Sequence, residues 1–371
     1  MTTFEQLDRS EVDDTIHAVL AEVPSTFTWD YERSRPGLSR LYEKAKGSQW
    51  NASTDLDWSI DVDPERVSAD LGGGSGSGRF GHLAQDPDSP VRSFGEAEWL
   101  ELGVQLQNSV LSQFMHGEQG ALLCTARIVE TVPWIDAKYY ASTQVMDEAR
   151  HVEVFARYLD EKLGSQYAIN ANLRALLDDI LADSRWDVTY LGMQIMVEGL
   201  ALAAFGFMRQ MTTEPLLKTM LRYVMSDEAR HVAFGVLSLQ EYYQGLSGPE
   251  LRERQEFAFD AAVRLQKRFQ HLEVWERMGA DAGAVAEFLE SRNHEQAQVF
   301  QTMLFSKIVP NCKKLGLLDA ADGWLRDRFT DIGVIQFEDW VDTSEEYDSL
   351  DLSVDDGSAE APAARAADRA G

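Results

Sequence analysis

The chain has 371 residues, with 62 Asp and Glu against 34 Lys and Arg, a formal net charge of −28 at pH 7. Such a surface repels nucleic acid and anionic membranes, and no Lys/Arg cluster offers a phosphate-binding face. With 44% apolar and 26% charged residues the composition is that of an ordinary globular protein, and two cysteines, Cys124 and Cys312, argue against a disulfide framework.

Residues 1–95 read as an irregular N-terminal arm. Pro, Gly, Ser and Asp recur, and Leu71-Gly-Gly-Gly-Ser-Gly-Ser-Gly78 has the composition of a flexible connector. The first residues lack a basic region followed by an apolar core, so a cytoplasmic location without membrane insertion is expected. Gln49–Ile60 carries two tryptophans, Trp50 and Trp58, and is expected to cap the main domain.

Residues 96–330 read as one helical domain. Only Pro133, Pro215, Pro249 and Pro310 interrupt Glu96–Leu318, and the first three fall where helices would start or join. Apolar residues recur at intervals of three and four, as in Leu111, Met115 and Leu122 or Leu217, Leu221 and Val224. This spacing predicts helices over 96–131, 134–163, 170–183, 186–212, 214–244, 249–278 and 283–314. No segment alternates in the manner of a strand, so the fold class is all-α, a bundle of long helices. The longest apolar stretch, Gly199–Met208, is about half a membrane span. Residues 331–371 form an acidic tail expected to be disordered; from 338 onward it holds eleven acids and two bases.

An internal repeat carries the chemistry. Asp147-Glu-Ala-Arg-His151 returns as Asp227-Glu-Ala-Arg-His231, eighty residues later. On a helix, a Glu and a His three apart lie on one face, so a single cation can touch both. Each copy follows a helix with an isolated glutamate on an apolar face: Glu118 and Glu198, each thirty residues before the motif Glu. An unpaired carboxylate among apolar residues is costly unless protonated, paired or bound to metal. Four carboxylates and two imidazoles, two identical half-sites, would make an oxygen-rich site for two divalent metals. His17, His82, His116, His271 and His294 are isolated by comparison, and Cys124 reads as a small buried residue.

On these motifs the chain resembles the ferritin-like superfamily of di-iron carboxylate proteins, in its oxygen-activating branch. That branch includes aminobenzoate N-oxygenases, multicomponent monooxygenase hydroxylases, acyl-carrier-protein desaturases and the small subunit of ribonucleotide reductase. The resemblance covers residues 96–245. It implies a four-helix bundle core with additional C-terminal helices. It also implies two Fe ions, or Mn or mixed Mn/Fe, held by Glu118, Glu148 and His151 on one side and Glu198, Glu228 and His231 on the other. Glu148 and Glu228 would bridge, Asp147 would orient His231, Asp227 would orient His151, and Arg150 and Arg230 would balance the aspartates by bidentate pairing.

The activity implied is O2-dependent hydroxylation, desaturation or N-oxidation of a small or apolar organic substrate. Electrons would come from an external reductase or ferredoxin, and a homodimer is common among such proteins. Ferroxidase or iron-storage function is the alternative, followed by a manganese- or iron-loaded relative without catalysis. Three positions depart from the relatives: Phe155 stands where the reductase subunit has its radical tyrosine, Val224 where N-oxygenases have a third histidine, and Leu202 where monooxygenases often have a threonine. Thr125 is the one hydroxyl nominated near the site.

Overall fold

The computed structural model describes residues 16–70, 81–291 and 302–349. Among these residues there is no strand, and the all-α class expected from periodicity is what the structure shows. Four long helices form the core: α4 (Glu96–Thr131), α5 (Ile135–Tyr158), α7 (Trp186–Met211) and α8 (Pro215–Gln244). They pair as α4 with α5 and α7 with α8, and α5 meets α8 across the centre, a ferritin-like four-helix arrangement.

Local chemistry sets their ends. The Glu98 carboxylate accepts the Gly95 N–H at 3.0 Å where α4 begins, and Pro133 follows where it stops. At the start of α8, Glu214 accepts the N–H groups of Leu216 and Leu217 at 2.8 and 2.6 Å, with Pro215 in the first turn. Helix α7 is largely apolar because most of it is enclosed, Phe207 and Met211 near its end being exposed. It alone among the described helices is long and apolar enough to cross a membrane, yet 94% of its most apolar window is buried in the bundle. Its middle turns, Leu191–Val197, widen into a π-helix immediately before Glu198.

Around this core lie α6 (Ala171–Ala182), α9 (Gly248–Lys267), α10 (Leu272–Arg277), α11 (Ala282–Ser291), α12 (Ile308–Lys314) and α13 (Trp324–Asp331). A smaller apolar cluster at one end joins Leu83, Val91, Trp99, Trp275, Val285 and Phe288.

The boundaries depart from the expectation in four places. The helix expected over 249–278 breaks at His271, whose φ of 51° and ψ of 43° interrupt the helical path between α9 and α10. Of the helix expected over 283–314, Ala282–Ser291 and Ile308–Lys314 are helical and a 3-10 turn, Leu304–Ser306, precedes the second; residues 292–301 lie outside the described residues.

The N-terminal arm is not irregular throughout. It contains α1 (Pro36–Gly47), α2 (Pro64–Asp70) and α3 (Gly81–Gln85), and α1 packs on α5 and α8. The Gly/Ser connector, Leu71–Gly78, lies outside the described residues.

The acidic tail is not disordered in its first part. Helix α14 (Thr343–Ser349) lies on α8; Asn311 and Thr343 exchange two hydrogen bonds, at 3.0 and 2.9 Å, and Lys307 pairs with Glu346. Cations outside the tail pair with Glu338, Asp339, Asp342, Glu345 and Glu346, which composition alone does not reveal. Residues 350–371, and residues 1–15 at the other end, lie outside the described residues.

Candidate metal centre

Each of the four core helices delivers its share of one buried cluster. Glu118 comes from α4, Glu148 and His151 from α5, Glu198 from α7, and Glu228 and His231 from α8; exposure is 4% for Glu118, 2% for Glu198 and zero for the rest. His151 Nδ1 lies 3.3 Å from Glu118, 3.4 Å from Glu148 and 3.1 Å from Glu228. His231 Nδ1 lies 3.0 Å from Glu148 and 3.4 Å from Glu228. The two rings are 5.8 Å apart.

Two groups of potential ligand atoms, each within 4.8 Å of one another, overlap here: Glu118, Glu148, His151 and Glu228, and Glu148, Glu198 and His231. Glu148 belongs to both, the position of a bridge. Glu228 groups with the first set, while one of its oxygens faces both histidines.

The opposite edge of each imidazole is turned to an aspartate on the facing helix. His151 Nε2 lies 3.2 Å from Asp227, and His231 Nε2 lies 3.4 Å from Asp147. A carboxylate in this position favours the tautomer with its proton on Nε2 and leaves Nδ1 as the lone-pair donor. The arginines differ from simple bidentate pairing. Arg150 Nη2 reaches Asp147 at 2.5 Å and Asp227 at 3.1 Å; Arg230 Nη2 contacts Asp227 and lies 3.5 Å from Asp147. Each guanidinium therefore bridges both aspartates, tying α5 to α8.

Three contributors escape the sequence reading. Gln144 donates to Glu148 at 2.9 Å and to Glu198 at 3.0 Å, holding ligands of two helices together; its place one turn before Glu148 is the signal that could have shown it. Gln49 donates to Asp147 at 3.1 Å and Trp50 to Asp227 at 2.7 Å, so the arm caps the aspartate–arginine quartet. Trp50 also stacks on Tyr223 and lies under the Arg150 guanidinium. Spacing in the sequence gave no sign of these long-range bonds. Thr125 is buried, but no contact among the described residues joins its hydroxyl to the cluster.

Burial governs the protonation of the site. It pushes Glu118 up to about 8, with the Glu228 charge adding to the effect, and holds Glu198 well above the usual carboxylate range with the help of Glu148 and Glu228. For Glu148 burial acts the same way but loses to His231 and His151, which hold it well below the usual range. Both histidines lie well above theirs: burial opposes this, and the surrounding carboxylates overcome it. The cluster as it stands thus gathers protons in place of cations. Burial, with the Glu198 charge behind it, also pushes the Cys124 thiol up, so it stays protonated.

The donor set fits a pair of metal ions. Glu148 Oε2, Glu198 Oε2, both Glu228 oxygens and His231 Nδ1 are buried without a hydrogen-bond partner among the described residues. Such orphaned atoms are expensive unless a ligand satisfies them. They converge where the two groups overlap, and carboxylate plus imidazole donors suit Fe or Mn.

A narrow cavity touches the cluster through Glu118, Glu198 and Glu228. It is walled by Phe114, Gly117, Ala121, Val197 and Ala201, with Gln113 and Arg268 also in its lining; about 10 Å3 of it is open, room for one water.

Fold and site together define an all-α bundle with a buried carboxylate–histidine centre. No family model and no curated protein matches the chain. Among solved structures it is similar to an R2-like ligand-binding oxidase. A point mutant of that protein with an anaerobically reconstituted Mn/Fe cofactor aligns with a TM-score of 0.48 and 18% identity, over 77% of this chain and 94% of that one. The same oxidase with aerobically reconstituted metal cofactor after photoconversion gives 0.48 and 16% over the same shares. This similarity is distant, and the chemistry of the site follows from its own residues.

Proposed function

We propose that the chain is an oxidoreductase in which Glu118, Glu148, His151, Glu198, Glu228 and His231 hold two iron ions, or manganese and iron. It would use O2 to oxidise a small, largely apolar organic molecule. The observation that carries this reading is the convergence of orphaned carboxylate oxygens and an imidazole nitrogen in two overlapping ligand groups that share Glu148. Ions bound there supply two-electron oxidation by O2.

The chain's own residues do the rest. Asp147 and Asp227 fix the imidazoles, while Gln144 fixes the carboxylates of Glu148 and Glu198. The apolar walls of the cavity exclude bulk water and present the substrate to Glu118, Glu198 and Glu228. Electrons would come from a separate reductase or ferredoxin, since the sequence has no flavin, dinucleotide or iron–sulfur motif. Hydroxylation, desaturation and N-oxidation are all within this chemistry.

The test is an Fe(II) titration of metal-free protein under O2. The expected result is a plateau at about two ions per chain, as the bundle's ligand set demands, lost in Glu148→Ala and His231→Ala. Uptake continuing far beyond two ions would assign the protein to iron storage. No uptake, or full activity in either variant, would sink the proposal.

A further inference from the structure

The wall of the cavity contains a cation that the metal centre does not use. Arg268 follows the last turn of α9, is 5% exposed, and lines the same cavity as Glu118, Glu198 and Glu228. Every other buried lysine or arginine among the described residues has a carboxylate. Arg150 and Arg230 have Asp147 and Asp227, Arg254 has Asp187, and Lys307 has Glu346. Arg268 has no ion-pair or hydrogen-bond partner among the described residues. Its guanidinium lies against two rings, Phe269 at 5.0 Å and Phe114 at 5.8 Å from the centroids. Burial alone acts on it and lowers its pKa to about 10, so it remains charged at neutral pH, and no nearby carboxylate offsets the burial. Aromatic faces are a weak substitute for a counter-ion.

Charge balance shows why the cluster's glutamates do not serve. Four glutamates and two aspartates against Arg150 and Arg230 leave four negative charges with the histidines neutral, which two divalent ions would cancel. Arg268 then stands as one positive charge in excess, at the wall of a cavity whose lining apart from Gln113 and the three glutamates is Phe114, Gly117, Ala121, Val197 and Ala201. One cation calls for one anion. A dianion would bring a second negative charge toward the carboxylates with nothing to balance it.

We propose that Arg268 is a substrate-binding residue that takes the carboxylate of a small apolar monocarboxylic acid and aims the acid's apolar body at the metal centre. Guanidinium and carboxylate match in two parallel N–H···O bonds, and the low polarity of the wall strengthens them. The substrate class therefore rests on the function proposed above: the anion is held by the protein, and the part to be oxidised lies toward Glu118, Glu198 and Glu228. Because the open space now holds about one water, binding must move the cavity's side chains apart.

The experiment uses the full chain loaded with metal, with metal content read on every sample. Butyrate and benzoate are titrated against butyramide and benzamide, of similar shape without the charge, by calorimetry and thermal shift. The expected result is that the acids bind at least tenfold more tightly than the amides. That preference should disappear in Arg268→Gln and Arg268→Met while both keep about two ions per chain, and shrink in Arg268→Lys. Arg268→Met should also melt no lower than the wild type without ligand, because it removes a buried unpaired charge. If that variant fails to fold, the acid–amide comparison on the wild type still decides. Two bound ions with equal response to acid and amide would overturn the inference and leave the metal function standing. So would variants that keep wild-type affinity for the acids, which would mean that the acids sit on the metals. No bound metal would overturn the function and the substrate role with it.

Discussion

Gly235 tests whether the ligand helices must touch for the site to form. It lies one turn after His231 on α8, facing Gln194, which lies one turn before Glu198 on α7. A Cβ at Gly235 would be 2.6 Å from Gln194 Cβ and 3.2 Å from Ile195 Cδ1, where ordinary contact begins at 3.4 Å. The shortfall against Gln194 is about 0.8 Å (3.4 less 2.6), and it falls on the base of a side chain that no rotation can clear. Helices α7 and α8 must therefore separate at the level of the carboxylate–histidine cluster. Overpacking of this kind costs about 1–3 kcal/mol, and alanine's better helix propensity returns at most about 1 kcal/mol.

Gly235→Ala should thus be destabilised by roughly 1–2 kcal/mol, and Glu198 should be drawn out of the group it forms with Glu148 and His231. The control is Gly117→Ala on α4, where nothing lies within 4 Å of the added Cβ. There the same substitution should stabilise by roughly 0.5–1 kcal/mol. Urea unfolding of the metal-free proteins measures both, and iron titration should show a weakened second ion in Gly235→Ala alone. A Gly235→Ala protein as stable as wild type that binds both ions with wild-type affinity would refute the close approach and the role assigned to it.

Further outcomes follow from the same geometry. Asp227→Asn removes a charge that contacts Arg150, Arg230 and His151 at once, so denaturant unfolding should show a loss of about 3–5 kcal/mol; a loss below 1 kcal/mol would mean that the quartet is not a unit. Trp50→Phe keeps the ring but deletes the bond to Asp227. It should cost about 1–3 kcal/mol and quicken proteolysis around residues 49–60, and an unchanged cleavage rate would show that the arm is held by other contacts.

Protonation gives a third outcome. Glu118 at about 8, Glu198 and both histidines hold more protons folded than unfolded. Their contribution to the metal-free protein is full below the unfolded values and is lost as pH rises through the folded ones. The metal-free protein should therefore lose stability from pH 6 to pH 8, while metal binding releases protons and tightens over the same interval. Calorimetry in buffers of different ionisation enthalpy reads the protons, and a pH-independent affinity would contradict the burial argument.

The legibility of this protein in its sequence divides along the range of the interactions. Glu118, Glu148, His151, Glu198, Glu228 and His231 were readable because helical spacing is local: Glu and His three apart share a face wherever the helix goes, and a carboxylate among leucines and alanines announces a cost that some partner must meet. The facing of Asp147 on His231 and Asp227 on His151 came from the resemblance, and the structure places those atoms within 3.4 Å.

What escaped depends on contacts between distant segments. Trp50 reaches Asp227 from 177 residues away, and Lys307 and Asn311 order Glu346 and Thr343 in a stretch whose composition alone argues for disorder. His271 breaks a periodic pattern without a glycine or proline to mark the place, by taking the left-handed conformation between α9 and α10. Arg268 is the same lesson in charge. In the sequence it is one of many basic residues after an amphipathic helix. Only the fold shows that, among the described residues, every other buried cation has its carboxylate and that this one faces the cavity instead. Local periodicity therefore specifies which residues can meet a metal, whereas the choice of what else enters the site is written in the pairings that folding leaves incomplete.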